Sequence, residues 1–257
     1  MTHKSSINRR GFLTRALMVS GAAILAGCDK LSQSEWFTEV LSSAETVNRK
    51  VQHLITPRRA MAAEFTEADL SPRFKSNGTH EPADSEYQAL AKEGFVNWKL
   101  IVGGLVEKPA RLSLTQLRAL PSRIQITRHD CVEGWSCIGK WKGARLSALL
   151  EQVKPLPAAQ YVVFHCYDSL DVSGNKYYES IDFDDAFHPQ TILAYEMNDK
   201  DLPVAYGAPL RLRVERQLGY KMAKYLKGIE LVESFENIQG GKGGYWEDQG
   251  YEWYAGI

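Results

Sequence analysis

Between residues 98 and 235 the chain is a succession of short runs rich in β-branched and aromatic residues, with only brief helical patterns between them. Strands are expected over 98–102, 122–128, 161–167, 177–183, 191–197, 210–215 and 228–235. Helices are expected from the capping-box pattern Ser113-Leu114-Thr115-Gln116 to about Leu120, where Pro121 stops it, and over 145–153. Neither an internal repeat nor a regular strand–helix alternation is visible. That excludes a doubly wound parallel sheet and points to a mixed α+β domain.

The segments before this body read differently. Residues 1–27 are a targeting segment: Asn8-Arg9-Arg10-Gly11-Phe12-Leu13-Thr14 is a twin-arginine signal, followed by an apolar stretch from Ala16 to Ala26. Leu25-Ala26-Gly27-Cys28 resembles a lipobox, which would tether the chain to a membrane through a lipidated Cys28; ordinary cleavage and an uncleaved anchor are the alternatives. The twin-arginine route carries folded proteins, as a cofactor inserted before export requires, so a periplasmic location is expected. Residues 28–89 hold an amphipathic helix over 34–55, expected to pack on the body, and then a polar, proline-bearing loop. The main domain is placed at 90–257, ending in a glycine-rich tail with aromatics at Tyr245, Trp246, Tyr251, Trp253 and Tyr254. Those rings need somewhere to bury, and the tail is expected to fold back, covering a cofactor mouth or docking an electron partner.

Composition narrows the partners. With 31 basic and 31 acidic residues the net charge is zero, which argues against nucleic acid. The four cysteines form neither a Cys-x-x-Cys zinc pattern nor a c-heme site. Cys131 stands out because it ends an alternating strand and enters the glycine-bearing loop Val132-Glu133-Gly134-Trp135. A thiol so placed is held rigidly and suits a soft or high-valent metal. Its ordinary reading is a buried structural cysteine.

Several segments together resemble one family. Arg128-His129-Asp130-Cys131-Val132-Glu133-Gly134-Trp135-Ser136 resembles the cysteine loop of the sulfite oxidase family of molybdopterin-dependent oxidoreductases, on the bacterial branch near the periplasmic methionine sulfoxide reductase catalytic subunit. It departs from the Cys-Ala-Gly-Asn of sulfite oxidases proper. Tyr177-Tyr178-Glu179-Ser180-Ile181 resembles the active-site tyrosine strand. The run from His188 to Asn198, Leu202-Pro203, Gly207-Ala208-Pro209-Leu210-Arg211-Leu212-Arg213 and Gly219-Tyr220-Lys221 follow in family order.

The resemblance implies a molybdenum-molybdopterin cofactor whose metal takes one protein thiolate, matched by Cys131. Arg211 matches a residue for the pterin's phosphate, since guanidinium binds phosphate bidentately. Gly219, Tyr220, Lys221 and Lys224 would add backbone donors and charge. Asn77 is similar to a pterin-cradling asparagine, with a surface turn at Asn77-Gly78 as the alternative. Tyr177 matches the tyrosine near the metal, or is a packed strand residue. Arg128 and His129 would face an oxo substrate, or form a strand-end pair. Cys137 and Cys166 are read as wall or core. The implied reaction is oxygen-atom transfer on a small oxo substrate, tilted toward reducing an S-oxide or N-oxide. Electrons would come from a separate heme or cytochrome partner. Sulfite oxidation is the alternative within the class, and a non-catalytic pterin-binding or redox-docking lipoprotein the alternative outside it. A monomer is expected, as no room is seen for a heme domain or the family's dimerisation domain.

Overall fold

A computed structural model describes residues 60–170 and 174–257, with Ser34, Trp36, Val47, Val51 and Pro57 before them. The twin-arginine signal, Cys28 and most of the expected helix over 34–55 lie outside the described residues.

Among the described residues, ten strands and five short helices follow in order: α1 (Ser85–Lys92), β1 (Lys99–Gly104), β2 (Ala110–Ser113), α2 (Leu114–Arg118), β3 (Ser122–Cys131), β4 (Trp135–Arg145), α3 (Leu146–Val153), β5 (Tyr161–Ser169), β6 (Lys176–Asp182), α4 (Phe183–Ala186), β7 (Ile192–Met197), β8 (Lys200–Asp201), β9 (Arg211–Arg213), β10 (Leu226–Val232) and α5 (Tyr245–Asp248). They build two sheets, β2-β1-β10-β5-β6 and β3-β4-β7-β8, with β9 added to β7. The β1–β10 pair is parallel and the other neighbours are antiparallel. This is the mixed α+β architecture expected.

Local chemistry accounts for the elements. Ser113 caps α2 by accepting from Gln116 N at 3.3 Å, and the Gln116 amide oxygen accepts from Ser113 N at 2.9 Å. In α3, Leu146, Leu149, Leu150 and Val153 form one buried stripe at helical spacing and pack in the main core with Val162, Phe164, Tyr178 and Ile229. β3 and β4 make one long hairpin, from Ser122 opposite Ala144 to Cys131 opposite Trp135. Its three-residue loop turns at Gly134, whose φ of +82° favours glycine.

Three expectations are corrected. Residues 85–92, read as irregular loop, form α1, with Asp84 capping Tyr87 N at 3.0 Å. Residues 135–141, for which no strand is expected, begin the longest strand among the described residues. In β3 the alternation holds, but the polar residues take the buried side: Gln125, Thr127, His129 and Cys131 point inward while Ile124 is 56% exposed. The reason lies on β9 and just beyond it. Arg213 is fully buried and donates to both Glu215 oxygens at 2.9 and 2.6 Å. Gln125 then donates to Glu215 at 2.8 Å, and His129 accepts from Arg213 at 3.0 Å. A buried ion pair requires hydrogen-bonding neighbours, and β3 supplies them.

Candidate functional site

A cavity of about 500 Å³ opens at the seam of the two sheets. Cys131 lines it from the end of β3, Asp168 and Leu170 from the end of β5, and Tyr177 from the start of β6. Gly219, Tyr220, Met222 and Lys224 contribute from the turn before β10, and Asn77, Gly78 and Thr79 from the long loop. Trp246 and Tyr251 of the tail complete the wall.

Cys131 is 8% exposed, and burial raises its thiol, with the Glu133 charge adding and Lys75 opposing. The hairpin loop is braced beside it. The Trp135 indole donates to Glu133 at 2.9 Å, and the Lys75 ammonium lies 4.8 Å from the Trp135 ring centre. His129 points inward from β3. The Arg213 guanidinium donates to its Nδ1, so the proton sits on Nε2, and burial followed by Arg213, Arg211 and Lys224 keeps the ring neutral, well below the usual imidazole range. That Nε2 has no hydrogen-bond partner and faces Gly219, where an added Cβ would stand 2.5 Å from it. Only glycine lets the turn approach β3 so closely.

Two cations lie at the cavity, Lys224 in its wall and Arg211 behind it. The Lys224 ammonium donates to the Asn77 and Thr79 carbonyls at 2.6 and 2.5 Å, which fixes the long loop on the body. Burial, then Arg211, pushes its pKa down to about 7. Arg211 sits behind it, donating to Tyr206 O at 3.0 Å and Met222 O at 3.3 Å, with Nε unpartnered. Burial and Arg213 push it down to about 9. Asp168 is pushed up to about 6 by burial, against the pull of Lys224, and its Oδ1 is unpartnered.

The expected site residues thus divide. Asn77, Cys131, Tyr177, Gly219, Tyr220 and Lys224 line one cavity, with Arg211 and His129 directly behind it. The Tyr177 hydroxyl donates to Tyr220 O at 2.5 Å. Arg128 lies outside the cavity, its side chain 55% exposed and paired with Asp130 at 2.8 Å. The Lys221 ammonium turns away from the cavity onto Glu179 and Glu247, at 2.5 Å each. Cys137 packs with Phe74 and Trp141, and Cys166 lies in the main core. Asp168 and Met222 were not singled out from sequence: an acid ending a strand and a methionine in a turn carry no local signal.

A molybdopterin suits this donor set. Among the described residues no three His, Cys, Asp or Glu cluster to hold a metal. The two depressed cations and the unpartnered Arg211 Nε are what a buried phosphate would satisfy.

Residues 88–238 match the oxidoreductase molybdopterin binding domain family. The chain is 36% identical over 96% of its length to a putative protein-methionine-sulfoxide reductase subunit, YedZ1, of Azospira oryzae, covering 87% of that protein. It is 35% identical over 70% of its length to the protein-methionine-sulfoxide reductase catalytic subunit MsrP of Xanthomonas axonopodis pv. citri, spanning 61% of that relative. Among solved structures, the sulfane dehydrogenase SoxCD of Paracoccus pantotrophus is similar over 54% of this chain and 39% of that one, at 20% identity and a TM-score of 0.48, too distant a likeness to carry weight. With the family matched over more than half of its length, the chain belongs to the molybdopterin-binding oxidoreductases of the sulfite oxidase family and is an enzyme that uses a molybdenum-molybdopterin cofactor.

Proposed function

We propose that this enzyme reduces a neutral S-oxide, taking two electrons from a separate heme protein after export to the periplasm. Overall, the S-oxide takes up two electrons and two protons, its S–O bond breaks, and a sulfide and one water leave. The observation that carries this reading is the charge of the cavity wall. Among the described residues lining it, Lys224 is the one cation, and in this reading it serves the cofactor's phosphate and the carbonyls of the long loop rather than the substrate. Glu133 and Asp168 supply negative charge, and Tyr177, Tyr220, Trp246 and Tyr251 supply aromatic surface. Lys75 reaches Glu133 only at the exposed rim, 3.8 Å away with both side chains more than half exposed. Such a wall disfavours sulfite, an oxyanion that needs fixed cations. It suits a dipolar S–O group with apolar substituents. Both relatives above are named as subunits of methionine-sulfoxide reductases.

In this reading Cys131 would be the thiolate ligand of the metal, Arg211 and Lys224 would hold the pterin phosphate, and Asn77 would help to cradle the pterin. Bound there, the cofactor supplies a two-electron centre for oxygen-atom transfer. The chain does the rest. The β3–β4 hairpin fixes the direction of the thiol. His129, neutral and held by Arg213, fills the space under Gly219. The Tyr177 hydroxyl, committed to the Tyr220 carbonyl, ties β6 to the turn that carries Met222 and Lys224. The twin-arginine signal and Cys28 support delivery across, and tethering to, a membrane.

The test uses full-length protein matured from its own leader. Reduced viologen oxidation is followed with dimethyl sulfoxide and methionine sulfoxide, and ferricyanide reduction with sulfite. S-oxide-dependent turnover without sulfite oxidation is expected. Sulfite oxidation with inert S-oxides would overturn the reading.

A further inference from the structure

The tail does more than close the fold. In α5, successive side chains diverge: Trp246 lines the cavity, while Glu247 turns inward, 1% exposed, with Oε1 2.5 Å from the Lys221 ammonium. After the helix the chain doubles back through Tyr251 N, which donates to Trp246 O at 3.0 Å. This stacks the Tyr251 ring on Trp246 at 5.1 Å between centroids and 27° between planes. Tyr251 meets Tyr220 edge-on at 5.3 Å, and the Tyr220 hydroxyl donates to Glu252 O at 2.6 Å. Three aromatic residues from two distant segments therefore form one continuous wall.

Tyr251 remains 38% exposed, so this wall reaches the rim where a substrate enters. The tail itself is fastened at points away from the cavity. Tyr178 donates to Asp248 at 2.7 Å, Ser180 to Gly243 O at 2.5 Å, and the Trp253 indole to Ser180 at 2.8 Å. Those bonds fasten the segment away from the cavity; Trp246 also packs against the main core, and Tyr251 is the exposed ring of the pair.

We propose that Trp246 and Tyr251 select the organic substituents on the substrate's sulfur, and that Glu247 is the positioning residue that holds this wall against the cavity. The inference rests on the S-oxide reading above. Aromatic faces favour alkyl and aryl groups and the polarisable sulfur, while the S–O dipole points to the polar side near Cys131. An aryl methyl sulfoxide should therefore be preferred to dimethyl sulfoxide, which has little surface to lay on the rings. Glu247 acts through Trp246, its neighbour in the same turn. Freed from Lys221, the turn loses the contact that sets its depth.

The experiment compares kcat/KM for methyl p-tolyl sulfoxide and dimethyl sulfoxide in the holoenzyme, with binding of methyl phenyl sulfone and dimethyl sulfone by calorimetry as a readout free of turnover. The wild type is expected to prefer the aryl compound in both. In Trp246→Ala and Tyr251→Ala that preference should fall about tenfold, the size of a lost apolar contact in a specificity pocket. Glu247→Ala should show the same loss, expressed in KM rather than kcat, and Glu247→Gln should restore it. Tyr251 lies at the rim, so its variant answers the question if Trp246→Ala fails to fold. Unchanged aryl preference in the variants overturns this inference alone. A wild type that reduces no S-oxide overturns the functional reading beneath it.

Discussion

The Lys221 ammonium and the Glu247 carboxylate meet at 2.5 Å with both side chains 1% exposed, joining the tail to the turn that carries Met222 and Lys224. Glu179 closes the group at 2.5 Å from the same ammonium. One cation thus serves two buried carboxylates, and Glu179 Oε2 and Glu247 Oε2 have no other partner.

Removing the cation leaves the buried Glu179–Glu247 pair without its counter-charge and its hydrogen-bond donor. Lys221→Met should destabilise the fold by about 3–5 kcal/mol, the usual effect of breaking a buried charge pair from one side. Glu247→Gln, which keeps a hydrogen-bonding group, should cost clearly less. Chemical denaturation of the three proteins at neutral pH measures both.

The same group sets a pH dependence. Burial, then Glu247, raises Glu179 well above the usual carboxylate range, with Lys221 opposing. As pH rises past about 4.5, the unfolded chain releases this proton while the folded chain keeps it. Folded protein then binds more protons than unfolded, so stability falls with rising pH until the folded pKa is passed. The stability difference between wild type and Glu179→Gln should therefore shift against the wild type from pH 5 to 8. A flat difference would show that Glu179 ionises normally.

Lys224 gives the opposite slope. Its pKa of about 7 in the fold lies below the 10.5 of a free lysine, so between these values the unfolded chain holds more protons and stability rises with pH. Cofactor-free wild type should show this rise in Tm, and Lys224→Met should lack it. A bound phosphate would favour the charged ammonium and flatten the slope in the holoenzyme. Lys224→Met should also retain less molybdopterin, measured by pterin fluorescence after acid release.

Gly219→Ala probes the close approach of the turn to β3. The new Cβ would stand 2.4 Å from His129 Cε1 and 3.2 Å from the Asp130 carbonyl, next to Cys131. Overpacking of this kind costs about 1–3 kcal/mol. The displaced strand end should lower molybdenum content as well as Tm, whereas Gly94→Ala, with nothing within 4 Å of its added Cβ, should leave molybdenum content unchanged.

Much of this was legible in the sequence because it is local. The alternation in β3, the α2 capping box and the Leu146–Val153 stripe each carry their signal within a few residues. Cys131 and Gly219 stand in quoted motifs and Lys224 close after one of them, and the structure places all three at the cavity. What could not be read is set by long-range pairing. The buried side of β3 is the polar one because Arg213 and Glu215, 84 or more positions away from their strand partners, need donors and acceptors there. Lys221 reads as one more phosphate cation until Glu179 and Glu247 are seen to claim it. The tail's aromatics signalled burial, but only the fold shows Trp246 and Tyr251 at the cavity while Trp253 stacks on Phe235 at 5.9 Å.

The most direct test of the cofactor's placement is molybdenum X-ray absorption on protein matured from its own leader, wild type beside Cys131→Ser. About one molybdenum per chain is predicted for the wild type, with one sulfur fewer around the metal in the variant. An unchanged sulfur shell in Cys131→Ser, with the metal retained, would contradict Cys131 as the ligand and remove the basis for placing the reaction in this cavity.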